Sequence, residues 1–161
     1  MTKLNMGCGR DIRDGWINID KYPVDERVVC MDFNLLPLQF KSDSVDEILL
    51  SHVLEHIIDP FYFIMECHRI LKKDGVLRVV LPSGMMANLA HRSMGHGKDY
   101  FYSVVREYGT NVQGGTFFSV CDVSGRRRFT ILEFFYKRFQ MFRDWFYRLC
   151  FDEYVYVLKK R

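Results

Sequence analysis

The stretch Lys3–Gly9, KLNMGCG, constrains the fold more than any other. An apolar run passes straight into Gly-x-Gly. It reads as a buried strand ending in a turn whose backbone a ligand can approach. Four more short runs follow, at Trp16–Asp20, Arg27–Asp32, Val45–Ser51 and Val76–Leu81. Each is apolar or β-branched and ends in polar or turn residues, which suits buried parallel strands. One helix is predicted between the last two, from about Val53 to Leu71, with Leu54, Ile57, Ile58, Phe61, Ile64, Met65 and Ile70 near helical spacing. Lys72, Lys73 and Gly75 are expected to close it, and Pro60 to split or kink it. Strand, helix, strand at this length predicts a right-handed βαβ unit. One connection fits poorly. Only RDIRDG lies between Gly9 and the second strand, whereas a parallel crossover takes a dozen or more residues. Either a single helical turn makes the connection or the pairing there is unusual.

At 161 residues the chain is the size of one domain with a real core. Its five cysteines are odd in number and widely spaced, with no CxxC pair. Neither a disulfide framework nor a zinc ribbon is indicated, and a reduced, cytoplasmic compartment is expected. No charged-then-apolar leader pattern and no apolar run of about 18 residues is present, so neither secretion nor membrane spanning is expected. Charge is asymmetric. Up to Pro82 there are 10 Lys and Arg against 13 Asp and Glu, and after it 13 against 7. Of the 25 aromatic residues, 18 lie between Tyr100 and Tyr156. The front half reads as a cofactor or catalytic module and the back half as a basic, aromatic surface.

Beyond Pro82 the pattern predicts a helix over Lys98–Tyr108, a turn at Gly114-Gly115 and a strand over Thr116–Val120. Thr130 and Glu133 form a capping-box signature. Leu132, Phe135, Phe139, Phe142, Phe146 and Leu149 then step by three and four as one amphipathic helix. Tyr154–Leu158 alternates as a last strand.

In an open α/β sheet, ligands collect beyond the carboxyl ends of the strands. Those ends carry Gly7 and Gly9, Asp20, Asp32, and Ser51 with His52. A carboxylate with two acceptor oxygens suits both hydroxyls of a ribose at Asp20. Asp32 suits an exocyclic adenine amine, with Phe33 packing on the ring. The plainer role for either Asp is a turn former or a helix cap. A nicotinamide-type fingerprint is disfavoured, because Ile12 stands at its third glycine and Asp20 comes too early. His52-x-x-Glu55-His56 also matches an inverted zinc-protease signature, but no third ligand is identifiable downstream, so no metal is expected. The plain reading of that cluster is a Glu–His pair at a helix start. His91 and His96 follow the fifth strand in glycine-rich surroundings and read as a loop.

LNMGCG, GWINID, MDFNLLPLQFKSDSVDEILLSHVLEHIIDP and ECHRILKKDGVLRVVLP, in that order, resemble the class I S-adenosylmethionine-dependent methyltransferases, in particular the small type 11 group with its LEH signature. The resemblance covers about residues 3–82. It implies an α/β, Rossmann-like, mostly parallel twisted sheet with helices on its faces, as one methyltransferase-like domain over 1–161. Residues 1–82 would form the cofactor-binding half and 83–161 a basic, aromatic cover over the substrate. It implies S-adenosyl-L-methionine as cofactor and S-adenosyl-L-homocysteine as product. By position, Asn5, Met6, Gly7, Cys8 and Gly9 would hold the methionine part, Asp20 the ribose, and Asp32 with Phe33 the adenine; Lys21, Ser51 and His52 are further expected cofactor contacts. Some relatives of ubiquinone type hold a metal with a Glu/Glu/His set on this helix, whereas ordinary members carry LEH without one. The chain departs from the family at Asn5, where an acid is usual, and at Asp11, where a third glycine is frequent. The helix after the loop is expected to be shortened, and the family's usual N-terminal cap is not expected before the first strand. No Pro-Pro follows the fourth strand, which disfavours the adenine- and glutamine-modifying branch.

The expected reaction is methyl transfer to a hydroxyl of a small molecule or glycan, less readily to an amine. His52 or His56 is the expected general base, because imidazole titrates near neutral pH. Two alternatives stay open: a catalytically weak cofactor-binding module, and an RNA methyltransferase using the basic half. Arg126-Arg127-Arg128 and the aromatic helix admit a plain sheet cover, an anionic-substrate or RNA surface, and a peripheral membrane face.

Overall fold

The computed structural model describes residues 1–82, 118–126 and 153–161. Seven strands form one sheet: β1 (Lys3–Met6), β2 (Ile17–Asp20), β3 (Val28–Cys30), β4 (Val45–Ser51), β5 (Leu71–Pro82), β6 (Phe118–Arg126) and β7 (Glu153–Lys160). Their order is β3-β2-β1-β4-β5-β7-β6. The first five run parallel, and β7 lies antiparallel between β5 and β6. Strands from both halves of the sequence thus share one sheet. The expected last strand is β7. The strand expected over Thr116–Val120 meets β6 at Phe118, and β6 continues to Arg126. The features expected at Lys98–Tyr108, Gly114-Gly115 and Thr130–Leu149, and His91 and His96, lie outside the described residues.

The stretch after β4 is split, and Pro60 is the reason. A 3-10 turn at Leu54–His56 is followed by a separate helix, α1 (Pro60–Ile70). Proline is tolerated in a first helical turn, where its missing N–H would have no partner. Asp59 caps the helix by accepting a hydrogen bond from the Tyr62 amide at 3.1 Å. Phe63, Ile64, Cys67 and Ile70 form its buried stripe. They join Leu4, Met6, Ile48, Leu50, Leu77, Val79, Tyr156 and Leu158 in a single core. Burying one such apolar side chain contributes about 1.5–3 kcal/mol.

The helix ends earlier than its sequence suggests. Leu71 is already extended and fully buried, and it pairs with Val45. Lys72, Lys73 and Gly75 therefore belong to β5 and do not close the helix. Burial of Leu71 in the sheet outweighs the helix-stop signal that follows it.

The β1–β2 crossover resolves differently from a normal βαβ unit. Leu4, Asn5 and Met6 pair in parallel with Ile17, Asn18 and Ile19. No helix lies between these strands. Side-chain amides hold the connection. Asn5 Nδ2 donates to the Asp11 carbonyl at 2.6 Å and to Asn18 Oδ1 at 3.1 Å. Asn18 Oδ1 also accepts from the Arg13 amide at 2.9 Å, and Asn18 Nδ2 donates to the Arg13 carbonyl at 3.0 Å. Both asparagines are buried. Polar satisfaction by two amides closes the loop where a helix would otherwise span it.

Candidate functional site

The carboxyl tips of the first four strands are tied together by a run of specific contacts. The Gly7 and Cys8 amides both donate to the Ile19 carbonyl, at 2.8 and 3.1 Å. This bends the Gly-rich loop over the end of β2. Gly7 and Gly9 take left-handed conformations, with φ of 69° and 50°, which favour glycine. A Cβ on Gly7 would collide with the Val53 side chain, whereas one on Gly9 would meet nothing within 4 Å. Gly7 is therefore required by packing, and the space beside Gly9 is open.

Asp20 organises the next link. Its Oδ2 accepts from the Gly9 amide at 2.8 Å, and its Oδ1 from the Tyr22 amide at 2.9 Å. The Met31 amide donates to the Asp20 carbonyl at 3.0 Å, which joins β2 to the end of β3. Asp32 follows. Its Oδ2 lies 2.8 Å from Lys21 Nζ, and its Oδ1 accepts from the Asn34 amide at 3.0 Å. That hydrogen bond from Lys21 holds the Asp32 carboxyl below the usual carboxylate range. Asp32 is therefore an ionised acceptor at neutral pH. Asn34 Oδ1 in turn accepts from the Ile58 amide at 2.9 Å, which carries the links round to the segment after β4. Val53, packed on Gly7, completes them.

Both aspartates also perform the plainer role, since each bonds the amide two residues on. Turn formation leaves further lone pairs on each carboxylate for a ligand. The side chains of other expected site residues are engaged within the protein. Met6 is fully buried in the core. The Asn5 amide is committed to Asp11 and Asn18. Phe33 is buried against Phe63, with ring centroids 5.6 Å apart, so its ring lies in the core. Burial, with the charge of Asp20, pushes the Cys8 thiol up. The thiol stays protonated, which argues against a nucleophile. Asn34, Asn18 and Val53 were not singled out in the sequence. Asp-x-Asn after a strand is a legible turn signal for Asn34. Nothing local marks the other two.

At the tip of β4, Ser51 pairs with Val80. His52 has a φ of 55°, unusual for a residue with a Cβ. Its amide donates to the Val80 carbonyl at 3.0 Å. His52 Nδ1 lies 3.4 Å from Glu55 Oε1. His56 is exposed in the 3-10 turn. Among the described residues, no cluster of three or more His, Cys, Asp or Glu is arranged to hold a metal ion.

Residues 4–79 match the type 11 methyltransferase domain. This segment is thus similar to the methyltransferase domain, over just under half of the chain. A Mycobacterium tuberculosis protein described as a probable S-adenosylmethionine-dependent methyltransferase is 38% identical over 63 residues, which are 39% of this chain and 22% of the relative. The chain thus spans about a fifth of the length of the curated relatives it matches.

Solved structures extend the likeness over 99% of the chain at the level of fold alone. A Mesorhizobium loti S-adenosylmethionine-dependent methyltransferase superposes with a TM-score of 0.64 at 11% identity, covering 90% of that chain. The [4+2]-cyclase SpnF does so with a TM-score of 0.62 at 18% identity, covering 74% of that chain. One fold therefore carries more than one chemistry, and the methyltransferase site has to be argued from its residues. The family's cofactor is S-adenosyl-L-methionine. The residues present fit it. Open space lies beside Gly9, and two acceptor carboxylates stand at neighbouring tips. No helix of the described residues is long and apolar enough to cross a membrane.

Proposed function

We propose that the protein transfers a methyl group from S-adenosyl-L-methionine to a hydroxyl of a small molecule or glycan, and less readily to an amine. The observation that carries this reading is the single run of contacts from Gly9 through Asp20 and Lys21 to Asp32. The Gly7–Gly9 backbone would receive the methionine part, Asp20 the ribose hydroxyls and Asp32 the adenine amine. When bound, the cofactor supplies a methyl group already activated on a sulfonium. Positioning then carries much of the catalysis. A hydroxyl acceptor also has to lose a proton, and His52 or His56 is the side chain suited to take it.

Calorimetry with the cofactor and its demethylated product, followed by a tritium-methyl screen over glycans, small phenols and RNA, tests the proposal. Binding plus transfer to a hydroxyl supports it. Transfer to RNA moves the acceptor to the basic half of the chain. Binding with no transfer favours a cofactor-binding module, a reading motivated by the helix-free β1–β2 connection and the committed Asn5 amide. Absence of binding overturns both. A cytoplasmic location remains part of the same proposal.

A further inference from the structure

Lys21 stands where a ligand of Asp32 would have to arrive. The Asp32 carboxylate has little open capacity. Its Oδ1 already accepts from the Asn34 amide at 3.0 Å and from Asn34 Nδ2 at 3.3 Å, which uses the two lone pairs of that oxygen. The side chain is 23% exposed, and Lys21 Nζ lies 2.8 Å from Oδ2, the oxygen left for a further donor. The hydrogen bond to Asp32 pushes the Lys21 ammonium above its ordinary value, and the same bond holds the Asp32 carboxyl below its own. Both partners are therefore charged at neutral pH.

The backbone around Lys21 is pinned while its side chain is 48% exposed. The Tyr22 amide bonds Asp20 Oδ1 at 2.9 Å, the Met31 amide bonds the Asp20 carbonyl at 3.0 Å, and the Lys21 carbonyl accepts from the Cys30 thiol at 3.5 Å. A second resting place for the ammonium lies close by. The centroid of the exposed Tyr22 ring is 5.7 Å from Nζ, within cation–π range. The ammonium can leave Asp32 for that ring and for water without stranding a buried charge.

We propose that Lys21 is a specificity-determining residue whose ammonium competes with the adenine amine of S-adenosylmethionine for Asp32 Oδ2. This rests on the methyltransferase reading, in which Asp32 receives that amine, and it makes Lys21 a competitor of the cofactor, against its expected role as a contact. Binding exchanges one hydrogen bond to Oδ2 for another as the lysine side chain swings away. A purine with a carbonyl in place of the amine needs a donor there, and Lys21 is one. The residue thus sets how strongly the pocket prefers an amino purine to a carbonyl purine.

Calorimetry on the full chain tests this with S-adenosyl-L-homocysteine, S-adenosylmethionine and S-inosyl-L-homocysteine as probes. It compares wild type with Lys21→Met, which keeps an unbranched stem and loses the charge. Lys21→Met is expected to bind both adenosyl probes about two- to fivefold more tightly, the range of an exposed ion pair. The gap between the two proteins should close at about 1 M salt, where charges are screened within about 3 Å. The inosyl probe should gain nothing, and Lys21→Arg, which keeps a cation facing Asp32, should stay close to wild type. Equal or weaker binding of S-adenosyl-L-homocysteine by Lys21→Met overturns the proposal. A gain confined to S-adenosylmethionine also overturns it, since that would be plain repulsion of the sulfonium. So does an equal gain for the inosyl probe. In each of those cases the wild type still binds the cofactor and the methyltransferase reading survives. If neither protein binds any probe, that reading fails and takes this proposal with it.

Discussion

Asp20 accepts a hydrogen bond from the Gly9 amide at 2.8 Å, across the gap between the tips of β2 and β1. The acid that would receive a ribose is thereby the one that shapes the loop for the methionine part. Replacing Asp20 with Ala removes a charged acceptor and frees the loop together. Calorimetry is expected to show S-adenosylmethionine binding weakened by about 1–3 kcal/mol. Unchanged affinity would mean that the ribose contact is misplaced.

Gly7 and Gly9 look equivalent in GCG but carry different constraints. Gly7→Ala meets both a positive φ and the Val53 side chain, whereas Gly9→Ala meets only the φ. The left-handed backbone costs about 1–2 kcal/mol for a residue with a Cβ. Thermal melts should therefore show a clearly larger loss for Gly7→Ala. Gly9→Ala is expected to keep most stability and lose cofactor affinity, because its methyl enters the open space beside the loop. Equal melting losses would contradict the Gly7–Val53 packing.

Asn18 is expected to matter although it faces no ligand. Asn18→Ala leaves the Arg13 amide and carbonyl, and one donor of Asn5, without their partners. Orphaning the buried Asn5 donor costs about 1–3 kcal/mol, whereas the groups of the exposed Arg13 can turn to water. Urea denaturation should show destabilisation of at least that size. A surface-like change of a few tenths would mean that the β1–β2 loop is held some other way.

Acid sensitivity should trace in part to Glu66 and Arg69. Arg69 bonds Glu66 at 2.6 Å and also reaches the carbonyls of Leu38 and Phe40, while the Leu38 amide donates to Glu66. The hydrogen bonds from Arg69 hold the Glu66 carboxyl below its ordinary value of about 4.5. A group depressed on folding stabilises above its unfolded value and loses that contribution as pH falls through the folded one. The melting temperature of wild type should thus fall below about pH 4.5 and converge toward that of Glu66→Gln. A gap between the two that stays constant with pH would rule out this clamp.

Much of the fold could be read from the chain, because each strand carries its own local signature. Lys3–Met6 and Val45–Ser51 match β1 and β4 residue for residue. Proline's missing N–H made the break before α1 legible too. The acids and glycines at the tips were equally readable, since a turn after a buried strand favours few residue types. Local signals failed where burial elsewhere decided the outcome. Leu71 left the helix for the sheet, and Phe33 turned into the core against Phe63. Two asparagines, 13 residues apart in sequence, replaced a crossover helix. The sequence by itself determined which residues end the strands, through periodicity and turn chemistry acting over a few positions. Only the tertiary structure decided that Asp20 grips Gly9 and that Val53 fills the space behind Gly7. Those contacts depend on how strands are ordered side by side, which no short stretch of chain encodes.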